Sequence, residues 1–156
     1  MAKMEIKALD EYIGLLKGLE REKTQTIIEH SIYDGAAIVA DEIKKEIDGL
    51  MVNRNPHKGV SKEDKEDLKR GFGIAPMQFK SGEHNVKIGF DGYGHKTNSG
   101  KYPKGVPIPL IARSIISGTS FRTKNDFVRR AVNRVKKKAI EKMDETINEE
   151  FKKEMK

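Results

Sequence analysis

The sequence predicts an α+β fold in which long N-terminal and C-terminal helices pack on a small antiparallel β-hairpin sheet. Three observations predict it. Apolar residues recur at steps of three and four over 8–47 and again over 126–153, the spacing of one helix face. Between these stretches Val86, Ile88 and Phe90 alternate with Asn85, Lys87 and Gly89, the period of a strand with one buried face. Ser81-Gly82-Glu83-His84 stands just before that run and supplies a turn. The 156 residues suit one domain over 1–156 with a modest core.

At the N-terminal end, Leu9, Tyr12, Ile13, Leu16 and Leu19 follow the helical rule. Polar residues 20–25 interrupt it, and a second stripe follows: Ile28, Ile32, Gly35/Ala36, Val39, Ile43 and Ile47. A short helix followed by a long one is the expected arrangement. The small trio Gly35-Ala36-Ala37 leaves room for another backbone to approach. Residues 49–60 (GLMVNRNPHKGV) carry Asn-Pro and two glycines and read as a loop. Ser61 with Asp64 resembles a capping box and starts a short polar helix that Gly71 stops. Segments 74–80 and 85–91 are the two hairpin strands. Residues 92–107 (GYGHKTNSGKYPKGVP) form a long polar loop. Both loops are expected to be mobile in a free subunit and ordered by neighbours, because their composition offers few apolar anchors.

Pro109 or Leu110 opens a further helix that Gly118 closes, since a positive φ just past a helix end costs a residue with a Cβ. Thr119 reads as a local backbone hydrogen-bonder in the turn. Asn125 or Asp126 caps the last helix. Ile28, Ile32, Val39, Ile43, Ile88, Phe90, Ile111, Ile115, Phe127 and Ala131 are the expected core.

Composition narrows the function classes. Charged residues (35%) nearly equal hydrophobic ones (36%), which favours long helices with much solvated surface. Absence of cysteine excludes disulfides, thiolate catalysis and Cys-ligated zinc. The first residues lack the apolar stretch of a signal peptide, and no apolar run approaches ~18 residues, so no membrane partner is expected. Gly71-Phe72-Gly73 and Gly92-Tyr93-Gly94 lack the third glycine and the helix context of a dinucleotide site, so no cofactor is expected. Ser117, Thr119 and Ser120 have no nucleophile-elbow pattern. His84, Asp91 and His95 stand near the hairpin and offer metal-ligand chemistry, although solvated loop histidines are the commoner outcome, and no metal is expected. Acidic pairs such as Asp64/Asp67 and Glu149/Glu150 fall on polar faces, where burial is not expected to shift their titration. No catalytic residues and no enzymatic activity are expected.

The net charge of +7 favours anionic partners. Arg129, Arg130, Arg134, Lys137 and Lys138 form a basic surface on the last helix, with the density to make passing contact with DNA phosphates. No aromatic residues interleave them for base stacking.

Several strings together resemble the tail-completion, or minor tail component, family of long-tailed bacteriophages and prophages. They are the small centre Gly35–Ala37 of a long helix, Leu68 to Phe72 leading to Val86-Lys87-Ile88-Gly89, a helix ending in Gly118-Thr119, and the helix start Phe127-Val128-Arg129 with Ala131. Members tend to carry an acidic or aromatic pair before Gly-Thr and a Pro before the Phe, where this chain has Ile116-Ser117 and Asp126. The resemblance implies a non-enzymatic virion structural protein, assembled in the bacterial host cytoplasm. It implies a homo-oligomeric ring in the neck, with adjacent neck, tail-terminator or head-connector proteins as partners. A basic nucleic-acid-binding accessory protein is the alternative.

The end of the chain bears on assembly. Phe127, Ala131, Val135, Ala139, Met143, Ile147 and Phe151 recur every four residues. Each such step drifts by about 40°, so the line winds roughly two-thirds of a turn and one flat core does not cover it. Ile140, Met143, Ile147 and Phe151 are therefore expected to contact an adjacent subunit or neck partner.

Overall fold

The computed structural model describes residues 2–3, 21–96 and 100–154. In chain order the elements are β1 (Ala2–Lys3), α1 (Arg21–Asp48), α2 (Lys62–Gly71), β2 (Phe72–Ile74), β3 (Gln78–Lys80), β4 (Glu83–Asn85), β5 (Lys87–Phe90), α3 (Ile108–Ser117) and α4 (Phe127–Glu154). The protein is thus α+β, with two long helices and small antiparallel sheets. The short helix expected around Leu9 to Leu19 lies outside the described residues.

The scaffold is the antiparallel pair α1–α4, each 28 residues long. Polar pairings mark its register from end to end: Glu46 with Arg130, Glu42 with Arg134, Asp34 with Thr146, His30 with Glu150 and Lys23 with Glu154. Between them lies an apolar seam. Ile28, Ile32, Ala36, Ala40, Ile43 and Ile47 of α1 are buried, mostly at the same step of four as the line on α4. Two lines that drift alike can cover each other along their whole length.

That seam corrects the expectation for the chain end. Met143 and Ile147 are each 1% exposed within the subunit, and Phe151 packs half-buried against the core. Ile140 is also half-buried. Met143 and Ile147 are thus consumed by α1 within the subunit and are not kept for a partner, while Ile140 and Phe151 are only partly covered. The small centre of α1 has a related role. The side chain of Met143, rather than a backbone, fills the space at Gly35, where an added Cβ would lie 2.0 Å from Met143 Cε and 2.7 Å from its Cγ.

The hairpin also differs from expectation in detail. Segment 74–80 is broken, because Pro76 has no N–H for a ladder. Met77 N–H turns away and donates to Tyr33 Oη of α1 at 2.8 Å. The result is two small sheets. β3 and β4 close a two-residue turn at Ser81-Gly82, both at positive φ, with Phe79 opposite His84. β2 pairs with β5 in register Phe72–Phe90 and Ile74–Ile88, and β1 flanks the other edge of β5. Val86 and Ile88 are buried while Lys87 is exposed, as the alternation requires. Phe90 is half-buried and stacks between Phe72 and Phe127. The other nine expected core residues are buried.

Both long loops are tied into the subunit, because each carries apolar anchors that its polar composition hides. Leu50 and Val60 are buried, and Val106 packs against the core. Val52 bridges Val60, and Lys65 Nζ donates to the carbonyls of Asp48 and Leu50. The limbs of the second loop are joined by Gly94 N–H to Val106 O (2.7 Å) and Val106 N–H to Lys96 O (2.7 Å). Among the described residues, no helix is long and apolar enough to cross a membrane.

The Gly35–Met143 contact makes a sharp prediction. Gly35→Ala gains about 1 kcal/mol of helix propensity, but overpacking against Met143 costs about 1–3 kcal/mol. We expect a net loss in urea denaturation that Met143→Ala, made in the Gly35→Ala background, partly restores relative to the sum of the single changes. Strict additivity would show that the two sites do not touch.

Candidate functional site

α2 reads KEDKEDLKRG, and Leu68 is its only large apolar residue. To pack at all, this helix must bury polar side chains. It buries Asp64, Asp67 and Leu68, which at i, i+3 and i+4 share one face. Asp64 and Asp67 are each 1% exposed, which corrects their placement on a solvated face. Ser61 caps the helix through Oγ, accepting from Asp64 N–H at 3.1 Å. The Asp64 carboxylate does not complete the capping box; it turns inward.

Each carboxylate collects donors from distant segments. Asp67 Oδ2 accepts from the His95 backbone N–H at 3.0 Å and from His95 Nδ1 at 2.5 Å. Its Oδ1 accepts from Arg70 Nη2 at 3.0 Å, and the same Nη2 also donates to Tyr93 O at 2.7 Å. Gly94 permits this approach, since a Cβ there would stand 2.7 Å from Asp67 Oδ2. Asp64 Oδ2 meets Arg122 Nη2 at 3.0 Å and Lys96 Nζ at 3.4 Å. Two buried side-chain atoms here have no partner: Asp64 Oδ1 and Arg122 Nη1.

Arg122 reaches Asp64 because the α3–α4 connection is tightly wound. Gly118 ends α3 at φ 75°, with Lys124 N only 2.9 Å from where a Cβ would be. Thr119 and Arg122 exchange backbone hydrogen bonds at 2.9 and 3.3 Å, and Thr119 Oγ1 accepts from Phe121 N–H. Thr119 is the local hydrogen-bonder expected of it. Asn125 N–H then satisfies the Ile115 carbonyl at 2.8 Å. Asp126 caps α4 through Oδ1 to Arg129 N–H at 3.3 Å.

Together these parts line a cleft of about 360 Å³ bounded by Asn53, Arg54, Lys96, Ser114, Phe121 and Arg122, with Asp64 in its lining. Ligand atoms of Asp64, Asp67 and His95 lie within 4.8 Å of one another, a spacing that admits a metal ion. The charges decide against one. Arg70, Lys96 and Arg122 already contact the two carboxylates, and at an effective dielectric of 20 each like charge at 4 Å opposes a cation by on the order of 4 kcal/mol per unit. The trio imagined near the hairpin does not form. His84 packs on Phe79 with Glu29 at 3.9 Å, and Asp91 Oδ1 accepts from Gly92 N–H.

The expected basic surface divides. Arg130 and Arg134 are committed to Glu46 and Glu42 of α1. Burial works to raise the Glu46 carboxyl, but hydrogen bonds from Arg134 and Arg130 outweigh it and hold it below its usual value. Arg129, Lys137 and Lys138 are exposed. Of the residues carrying the resemblance, Gly118 and Thr119 shape the turn, while Phe127 and Ala131 are fully buried core. Arg122 belongs to the basic run that the sequence offers for phosphate contact, but Arg54, Lys96 and the acceptors beneath them were not anticipated. The one available signal was the placement of Asp64, Asp67 and Leu68 on a single face.

No protein-family model, curated protein or solved structure matches this chain.

Asp67 supplies the prediction. Burial pushes its carboxyl up, but the His95 backbone and ring hydrogen bonds, with Arg70, bring it net below the ordinary 3.8. A depressed carboxyl stabilises the fold fully above its unfolded value and loses that contribution as pH falls through the folded one. Asp67→Ala is expected to cost about 3 kcal/mol at neutral pH, the low end for a broken buried pair because Arg70 and His95 regain water. The variant should also lose less stability than wild type between pH 4 and pH 2. Identical acid profiles in chemical denaturation would contradict the assignment.

Proposed function

We propose that this chain is a non-enzymatic structural protein of a phage or phage-tail-like particle, joining the tail to the head connector as one subunit of an oligomeric neck ring. Its partners are copies of itself and adjacent neck, tail-terminator or head-connector proteins, and its place is the virion. The resemblance supplies the family. One structural observation supports an assembly role: the subunit carries two unlike apolar features that the described residues leave open. Phe79 stands 58% exposed on the β3–β4 hairpin. A separate apolar groove of about 430 Å³ runs between the sheet and α3, lined by Phe72, Phe90, Ala112, Ile116 and Val128. A closed ring is built from heterologous contacts, in which one patch meets a different patch on the next copy. A knob and a groove on one subunit satisfy that requirement.

The second reading, a nucleic-acid-binding accessory protein, draws on exposed Arg129, Lys137 and Lys138. Light scattering and negative-stain imaging of the purified protein separate the two. We expect rings, alone or on adding the neighbouring neck proteins, and we expect Phe79→Ser to weaken association at least tenfold, about 1.4 kcal/mol. A protein that stays monomeric with every neck partner yet binds duplex DNA with a steep salt dependence would replace this reading with the second.

A further inference from the structure

The geometry points to a binding site for a phosphate group in the cleft above Asp64, with the phosphate of a nucleotide unit as its natural form. The argument begins with charge. Arg54, Lys96 and Arg122 line the cleft against the single carboxylate of Asp64, a formal balance of three positive to one negative. A concave site with that excess favours an anion.

Donor geometry narrows the anion. The Asp64 carboxylate grips one arm of the Arg122 guanidinium, Nη2, and fixes its plane. The other arm, Nη1, is buried and has no hydrogen-bond partner. A buried charged donor left unmade carries a penalty, and a small turn of the guanidinium, whose side chain is 15% exposed, would let an incoming oxyanion remove it. A guanidinium held by one edge presents the planar fork that suits phosphate oxygens. Among the described residues Arg54 is exposed with no ion pair, and the Lys96 ammonium contacts Asp64 alone, at 3.4 Å. Both ammonium and guanidinium groups are free to turn toward a ligand. Asn53 and Thr119 add neutral donors. The Thr119 oxygen already accepts from Phe121 N–H, which leaves its O–H to donate.

Phe121 then distinguishes a nucleotide from a bare ion. It borders the cleft beside Arg122 and is 77% exposed, the most exposed large hydrophobic among the described residues. An aromatic face next to a phosphate cradle is the arrangement that stacks a base while cations hold the backbone. A cleft of about 360 Å³ is at the small end of ligand-site volumes. That size suits one nucleotide unit of a strand, or its terminal phosphate, rather than a duplex groove. This site lies on the α2 and α3–α4 turns and does not depend on the ring proposed above.

Titration calorimetry on the full chain tests it with two probes, inorganic phosphate and a short single-stranded oligothymidylate. Arg54→Gln and Phe121→Ala remove exposed side chains and leave the core intact; Arg122→Lys keeps the charge and removes the fork. We expect Arg54→Gln and Arg122→Lys to weaken both probes roughly tenfold. Phe121→Ala should weaken the oligonucleotide about fivefold and leave phosphate unchanged. Phosphate binding untouched by Phe121→Ala, with no stronger binding of the oligonucleotide, would assign the site to free phosphate and overturn the nucleotide form. Absence of binding to either probe would overturn the site altogether. So would binding insensitive to Arg54→Gln and Arg122→Lys but abolished by Lys137→Gln/Lys138→Gln.

Discussion

The burial of Asp64 and Asp67 on one face of α2 is the constraint on which the rest of the site depends. Two carboxylates taken out of water carry a desolvation cost of several kcal/mol each unless donors replace the lost hydration. The chain meets that demand by bringing donors from three places: Arg70 on α2 itself, the limb carrying His95 and Lys96, and the α3–α4 turn carrying Arg122. The electrostatic demand of one short helix thereby fixes the paths of two connections. Asp67 is well satisfied, and its depressed titration reflects that. Asp64 is not, since among the described residues neither its Oδ1 nor Nη1 of Arg122 has a partner. Incomplete satisfaction at a buried charged pair, in a cleft with excess positive charge, is what sets this place apart from the structural ion pairs elsewhere.

The α1–α4 pair performs a different task. Its apolar seam and flanking ion pairs give a stiff platform, and the sheet and α3 pack toward one end of it through Phe90, Phe127 and Ile43. The exposed ion pairs along the platform add little individually. Together with the Asp34–Thr146 hydrogen bond they do resist slippage by one turn, because a shift would separate Glu42 from Arg134 and Asp34 from Thr146 together. Long solvated helices with loops packed at one end explain how a chain so rich in charge still encloses a continuous core.

Much of this was legible because it rests on local periodicity. The stripe from Ile28 to Ile47, the alternation around Ile88, the Ser61 cap and the Gly118 stop each follow from the residues within one or two turns. The hairpin was legible as a hairpin, but Pro76 split it, and a proline inside a strand pattern is a local signal that outweighed the apolar run. At the chain end, Met143 and Ile147 were misplaced because drift was measured on α4 alone; a winding line is stable when the partner helix carries a line of similar drift, and only the assembled pair shows that. The cleft was least legible. Arg54, Asp64, Lys96 and Arg122 are brought together by tertiary packing from four separate segments, and no spacing rule links them. Asp64 and Asp67 looked solvated because acidic residues usually are; the scarcity of apolar residues on α2 was the reason to think otherwise.

Amide hydrogen exchange on an Asp64→Asn/Asp67→Asn variant tests the central claim most directly. If these carboxylates organise the two connections, the amides of Gly94, Val106, Thr119 and Arg122, all hydrogen-bonded within those turns, will lose protection in the variant. The amides in the middle of α1 and α4 will keep theirs, because the seam there rests on the packing of those two helices on each other. Unchanged protection at the four turn amides would show that the connections hold their shape without the buried charges and would contradict the account.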